Sequence, residues 1–362
     1  MTLQRTIERA WRVEGGSCRS AWLRPVSALY RLGRGLHRAL YRCGLRQRVA
    51  LPACVVSIGN LVAGGVGKTP FCRWLALELT QRGLRVLILA RGYGRAPGAR
   101  WNDEGAWLAA ELPGVRVVQD RDRARVGAAA LREAPADVVL LDDGFQHERL
   151  ERDVDVVLLD ATAPFGNGRL LPAGPLRESP AALRRADFVV ATRCEQAPVA
   201  VVEALAAQLR IVAPAARFAA VRFPIVAVRH GDTRLPPSAL AGREVVRWTA
   251  VGSPAAVERT LAALGARVVA RQLHADHHRF TTADRAAADA LAARFGTLLV
   301  ITTKDAVKVA ELYGGSADCL VLEQGVEVDG AEPLLARIAE QVTARAGRSH
   351  RPVSSAAPPS SR

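Results

Sequence analysis

The sequence predicts an α/β protein: a doubly wound, mostly parallel sheet, followed by a smaller α/β domain and preceded by an amphipathic helix. Three observations carry that prediction. Six short apolar runs, at 54–58, 85–90, 115–118, 138–141, 154–159 and 188–191, alternate with helix-like stretches, and five more follow at 225–228, 245–251, 267–270, 298–301 and 320–322. Apolar runs separated by helices are the pattern of parallel strands covered on both faces. A glycine-rich string, GGVGKT at 64–69, stands between the first run and an amphipathic stretch. The length of 362 residues, with 49% hydrophobic residues, is enough for two domains with ordinary cores. The expected boundaries are 1–50 for a basic N-terminal region, 51–222 for the first domain, 223–345 for the second, and 346–362 for a disordered Pro/Ser/Arg-rich tail. Residues 214–224 read as the crossover between domains.

The N-terminal region carries eleven arginines against two glutamates in its first fifty residues. Residues 22–42 read as a helix. Arg24, Arg31, Arg34, Arg38 and Arg42 fall on one side at 3.6-residue spacing, and Trp22, Val26, Leu29, Leu36 and Leu40 on the other. A basic amphipathic helix with aromatic residues at its boundary fits a membrane-surface anchor. The alternative is a helix packed on the protein's own core with its basic face in water. No stretch of 18 or more apolar residues predicts a membrane-spanning helix, and the charged first twenty residues do not read as a signal peptide.

The net charge of +15 favours anionic partners: nucleic acid, an acidic membrane surface or phosphorylated substrates. No recognisable nucleic-acid module is present, so nucleic acid is not an expected partner. Six cysteines are scattered without a CxxC pair or zinc spacing, the usage of reduced cysteines in a cytoplasmic protein. Of the 50 basic residues only three are lysine, Lys68, Lys304 and Lys308. A lysine in so arginine-rich a chain marks a place where a compact ammonium fits and a planar guanidinium does not.

Lys68 is the first such place. The strand–loop–helix context of residues 57–71 is what a phosphate loop needs. Gly64, Gly65, Val66 and Gly67 let backbone N–H groups turn toward an anion, and the helix opening at Lys68, Thr69 and Pro70 adds its positive dipole end. Lys68 would reach the β- and γ-phosphates and Thr69 would ligate magnesium. The usual spacing puts glycine where this chain has Val62. A phosphate loop also needs a carboxylate at a nearby strand end to hold magnesium. The string VVLLDDGFQH supplies it in Asp142 and Asp143. ATP with Mg2+ is the expected nucleotide pair, since the guanine-selecting N/T-K-x-D signature is absent. The first domain is therefore expected to be P-loop NTPase-like.

Five further strings complete the pattern: ARGYGR at 90–95, NDE at 102–104, FGNGRLLPAGPLRE at 165–178, ADHHRF at 275–280 and TTKDAVK at 302–308. Singly, each reads as a turn, a cap or a loop. Taken in order with GNLVAGGVGKTP and DDGFQH, they resemble the motifs of the tetraacyldisaccharide 4'-kinase family, from about residue 55 to residue 308. The resemblance implies transfer of the γ-phosphoryl group of ATP to the 4'-hydroxyl of a tetraacyl glucosamine disaccharide 1-phosphate, a lipid A precursor. It implies a peripheral enzyme on the cytoplasmic face of the inner membrane, bound to that anionic surface.

Residue by residue, the resemblance implies that Lys68 and Thr69 serve the phosphates and the metal, and that Asp142 and Asp143 are the magnesium pair. The family's G-D-E-P string reads Asn102-Asp103-Glu104-Gly105 here, departing at both flanks. Asp103 then corresponds to the candidate general base, supported by His277. A carboxylate within reach of a sugar hydroxyl can take its proton as the P–O bond forms. Arg177, Glu178, Asn167 and Tyr93 are implied as substrate-side residues, and Lys304 with Asp305 as a helix cap or a domain-interface ion pair. Two other readings of the loop remain open at this point: a P-loop kinase or ATPase with a soluble substrate, and a membrane-associated nucleotide switch. Such switches typically add a lysine early in the loop, where this chain has Ala63.

Overall fold

The apolar runs become two sheets in the computed structural model, which describes residues 23–95, 98–276, 278–313 and 318–349. The first sheet is built from β1 (Cys54–Asn60), β2 (Val86–Ala90), β3 (Arg116–Gln119), β4 (Val138–Asp142), β5 (Val154–Asp160), β6 (Phe188–Thr192), β7 (Arg217–Arg222) and β14 (Glu327–Asp329), in the order β14-β7-β6-β5-β1-β4-β2-β3. Every pairing is parallel except β14 on β7. β1, β2, β4 and β6 are buried along their whole length, as strands covered on both faces must be. β1 lies between β4 and β5, so the chain departs to either side of it, and a crevice opens beyond its carboxyl end.

Helix α2 (Lys68–Gln81) buries Phe71, Cys72, Leu75, Ala76 and Leu79, a helical stripe, against this sheet. On the same face α3 (Asp103–Glu111) contributes Leu108. On the opposite face α4 (Arg123–Glu133) packs Ala124, Ala130 and Leu131 against Val55, Leu87 and Leu89. Farther along the sheet α5 (Val199–Val212) buries Leu205 and Leu209.

The second sheet joins β8 (Ile225–His230), β9 (Thr233–Leu235), β10 (Glu244–Thr249), β11 (Arg267–Leu273), β12 (Leu298–Thr302) and β13 (Cys319–Gln324) in the order β11-β10-β12-β13-β8-β9. Its first four strands are parallel and β8–β9 is an antiparallel hairpin. The helices α6 (Pro254–Ala263), α7 (Thr282–Phe295) and α8 (Thr303–Tyr313) cover it. Two adjacent connections join the sheets, from β7 to β8 and from β13 to β14, and they meet where the Gly325 N–H donates to the Pro224 carbonyl at 2.8 Å.

The chain divides between the sheets differently from the sequence boundaries. The stretch expected as a crossover forms β7, whose Ala219 and Val221 point into the first core. The end of the expected second segment, 223–345, returns to the first sheet. β14 pairs with β7, Arg222 bridges Glu327 and Asp329, and α9 (Glu332–Ser349) inserts Leu334, Leu335 and Ile338 into the first core. An apolar helical stripe seeks the nearest unfilled face, and sequence order does not say which sheet offers it. α9 also runs past the expected start of the tail; 350–362 lie outside the described residues.

Helix α1 (Arg24–Arg42) turns its apolar face outward, the orientation of the surface-anchor reading and not that of a helix packed by its apolar side on the core. Its inner side is polar. The Ser27 hydroxyl donates to the Leu170 carbonyl (3.0 Å), Tyr30 donates to the Arg177 carbonyl (3.2 Å), and Arg34 and Arg38 reach the Glu178 carboxylate at 3.2 and 3.3 Å. The apolar residues face outward: Leu29 is 69% exposed, Leu32 70% and Leu36 61%. Trp22 and the rest of 1–22 lie outside the described residues.

Candidate active site

The loop after β1 and the start of α2 form one wall of a cleft of about 1040 Å3. Gly67 adopts φ 86°, and a Cβ there would lie 2.5 Å from the Phe223 ring, so only glycine fits. Val62 replaces the usual glycine because its backbone here is extended and bridges Leu176. The Ala63 N–H donates to the Pro175 carbonyl and the Arg177 N–H to the Leu61 carbonyl, both at 2.7 Å. The loop over 165–178 is thus laid along the phosphate loop. Thr192 Oγ1 donates to the Val66 carbonyl at 2.8 Å and steadies the turn from below.

Gly64, Gly65, Val66, Gly67, Lys68, Thr69 and Pro70 all line the cleft. Lys68 Nζ donates to Asn60 Oδ1 at 3.1 Å and pairs with Asp143 Oδ1 at 3.4 Å. Asp143, with φ 52°, turns the chain sharply after β4. Burial opposes its charge, but Lys68 and then Arg177 at 2.8 Å outweigh it and hold the carboxyl well below the usual range. Asp142 is its opposite. Burial, with Glu104 adding to it, pushes Asp142 up to about 7 despite Lys68. Asp142 Oδ1 is buried without a hydrogen-bond partner. A buried oxygen with no donor, crowded by other carboxylates and lining the same cleft as Thr69, is a donor set that suits Mg2+. The other group of three metal-capable side chains among the described residues is His274, His278 and Asp284. There the carboxylate closes the capping box of α7, accepting from the Thr281 N–H and hydroxyl at 2.8 Å, and imidazoles favour softer ions.

The opposite wall brings α3 against α8. Asn102 caps α3 by accepting from the Gly105 N–H at 3.0 Å, and Gln119 holds Asn102 from both sides at 2.8 and 2.7 Å. A Cβ at Gly105 would sit 2.3 Å from Gln119 Nε2, which accounts for glycine at that position. The cap aims Glu104 into the cleft and Asp103 toward α8, where Lys308 Nζ lies 3.1 Å from its Oδ2. Lys304 pairs with Glu104 at 3.2 Å and Asp276 at 3.1 Å. Burial works against its charge, yet the two carboxylates raise it above the lysine range. Asp305 caps α8: it accepts from Thr302 Oγ1 at 2.7 Å and from the Ala250 N–H at 3.1 Å.

Of the remaining sequence-derived candidates, Tyr93 and Arg177 line the cleft, and His277 lies outside the described residues. Asn167 does not line it. Its amide holds its own loop, donating to the Ala173 carbonyl at 3.2 Å and accepting from the Arg169 N–H at 3.1 Å. Glu178 also turns away. Buried among Arg185, Arg34 and Arg38, it anchors α1. Sequence reasoning gave no role to His147, which lines the cleft with its Nε2 buried and without a hydrogen bond. Burial first, then Arg123 and Arg152, push it down to about 3, so it stays a neutral imidazole at neutral pH. Its place in the DDGFQH string was the available signal. Arg123 was missed as well; its Nη1 donates to the Asp142 carbonyl at 2.9 Å and fixes the end of β4.

The family model described as LpxK, tetraacyldisaccharide-1-P 4'-kinase, matches residues 19–343. The chain belongs to that family. A tetraacyldisaccharide 4'-kinase of Anaeromyxobacter dehalogenans (strain 2CP-C) is 42% identical over 327 residues, covering 83% of this chain and 84% of the relative. One from Syntrophus aciditrophicus is 36% identical over 315 residues, covering 80% and 84%. The crystal structure of the "apo" form of LpxK from Aquifex aeolicus in complex with ATP superposes with a TM-score of 0.69 at 29% identity, covering 89% of this chain and 99% of that one. The match over residues 19–343 takes in both the loop at 64–70 and the Asp142–Asp143 strand end that meet in the cleft.

Proposed function

We propose that this cleft transfers the γ-phosphoryl group of ATP to the 4'-hydroxyl of a tetraacyl glucosamine disaccharide 1-phosphate, the reaction named by the family. The observation that carries the reading is the meeting, in one cleft, of Lys68 with the Asp142–Asp143 strand end and, across the domain boundary, the Glu104–Lys304 pair of α3 and α8, with Asp103 beside Glu104 on α3. The loop amides and Lys68 hold the phosphate oxygens of ATP. Thr69, Asp142 and Asp143, with Glu104 near them, would hold Mg2+, which neutralises phosphate charge when bound. Asp103 takes the proton of the acceptor hydroxyl while its oxygen bonds to phosphorus and the bond to the β-phosphate oxygen breaks, releasing ADP. His277 supports that proton transfer. Arg177, held on Asp143, contributes charge beside the transferring group.

The lipid side of the reading rests on α1. Val26, Leu29, Leu32 and Leu36 form an outward apolar stripe, with Arg24, Arg31 and Arg42 exposed beside it. Such a helix lies in a membrane interface with its apolar face in the acyl boundary and its arginines among anionic headgroups. The attachment in this reading is peripheral and on the ATP-containing cytoplasmic side, as the family resemblance implies; among the described residues no helix is long and apolar enough to cross a membrane. Tyr30 and Arg34 of the same helix line the cleft, so the interface opens directly onto the reaction site. The test is a transfer assay with purified protein, detergent, Mg2+, labelled ATP and the disaccharide 1-phosphate. The expected product is the 1,4'-bisphosphate; ATP hydrolysis without transfer would refute the assignment.

A further inference from the structure

Each of the three lysines in this arginine-rich chain ends on a carboxylate: Lys68 on Asp143 and Lys304 on Glu104 and Asp276 in the lining of the cleft, and Lys308 on Asp103 one turn farther along α8, behind that lining. The last two form a pattern. Lys304 and Lys308 stand one turn apart on α8, in the second domain, and meet the consecutive Asp103 and Glu104 at the N-terminus of α3, in the first. Lys308 is the more enclosed, with its side chain 6% exposed. Besides its ion pair with Asp103, its Nζ donates to the His278 carbonyl at 3.3 Å and lies 5.7 Å from the centre of the Phe280 ring. Desolvation makes each of these contacts stronger than it would be in water, and the aromatic wall confines the ammonium. A guanidinium would need a wider slot and would present its donors in a fixed plane.

The geometry points to Lys308 as a positioning residue for Asp103, with Lys304 doing the same for Glu104. The pair clasps the two domains and ties the proton-accepting carboxylate of Asp103 to the His278 backbone through one ammonium. Lys308 reaches the segment carrying His277 through the carbonyl of the next residue, His278. The inference rests on the proposed role of Asp103 as base. It goes beyond that role in assigning the alignment of the base to a residue 205 positions away in sequence. Lys308 touches neither the nucleotide loop nor Mg2+ donors, so its effect belongs to the chemical step.

The test is a double-mutant cycle read by single-turnover transfer of labelled phosphate, with Lys308→Met, Asp103→Asn and the double variant, each checked for folding by thermal unfolding. Loss of a charge-assisted, desolvated contact predicts that Lys308→Met lowers kcat by roughly tenfold to a hundredfold, with KM for ATP changed by less than about twofold. Because it acts through Asp103, Lys308→Met should cost less than about twofold in the Asp103→Asn background. Lys308→Arg, which restores charge but not shape, should recover part of the loss. Should Lys308→Met melt too low to assay, Lys308→Gln carries the same cycle while keeping a donor for the His278 carbonyl. An equal fold-loss in both backgrounds, or a wild-type kcat in Lys308→Met, overturns the proposal. A wild-type kcat in Asp103→Asn overturns instead the base on which it rests.

Discussion

Replacing Asp142 by asparagine isolates the strain stored at the metal end of the cleft. The carboxyl is 6% exposed, and burial together with Glu104 moves it from its ordinary 3.8 to about 7. At about 1.36 kcal/mol per pH unit, ionising it in the metal-free fold costs roughly 4 kcal/mol. The sign follows from proton binding. Between the unfolded and folded values the native state holds the extra proton, so this group's contribution to stability is full below about pH 4. It declines as pH rises and is lost above about 7. Asp142→Asn removes that loss and keeps the shape. In EDTA the variant should therefore match the parent near pH 4 and exceed it by a few kcal/mol at pH 8. Mg2+ should reverse the ranking, because a bound cation compensates the carboxylate and cannot be held as well by an amide. Thermal unfolding at the two pH values, with EDTA or Mg2+, reads all four conditions. Equal stability of parent and variant at pH 8 in EDTA, or an unchanged response to Mg2+, would refute the reasoning.

Three further outcomes are expected. Lys68→Ala should reduce transfer about a hundredfold or more while leaving the unfolding midpoint nearly unchanged, because Asp143 retains Arg177 at 2.8 Å; near-normal turnover in the folded variant would remove Lys68 from the phosphate site. Leu29→Ser combined with Leu36→Ser should lower partitioning onto anionic liposomes at least about tenfold, since each aliphatic side chain inserted is worth about 1.5–3 kcal/mol; equal sedimentation of variant and parent would contradict the outward-facing anchor. Asp103→Ala and His277→Ala should each lower kcat far more than they change KM for ATP, and the double variant should be little worse than the poorer single one. Fully multiplicative losses would mean that the two residues act independently.

Local pattern was enough for the strands, the phosphate loop and the acidic strand end. Each of the eleven apolar runs has a counterpart among the observed strands, most of them because a parallel strand covered on both faces must be apolar throughout; β8, antiparallel, and β11, at an exposed edge, are the exceptions to that reason. Lys68, Thr69, Asp142 and Asp143 were legible because phosphate binding ties residue types to fixed spacing around one turn. The rarity of lysine sets Lys304 and Lys308 apart in the sequence itself.

What the tertiary structure alone decided are pairings between distant parts of the chain. The two faces of α1 follow from its 3.6-residue period, but which face turns inward depends on Glu178, 144 residues from Arg34, and on the two carbonyls that Ser27 and Tyr30 reach. Glu178 and Asn167 sit in a loop of the expected composition, yet one anchors a helix and the other holds a turn. The clasp of Lys304 on Glu104 spans 200 residues, and the return of β14 and α9 to the first sheet makes the first domain discontinuous in the chain. The physical reason is common to all of these. Periodicity and turn chemistry act over a few residues and leave a mark in the string. The partner of a buried charge, or of an apolar face, is chosen by whichever desolvated surface the folded chain brings within reach.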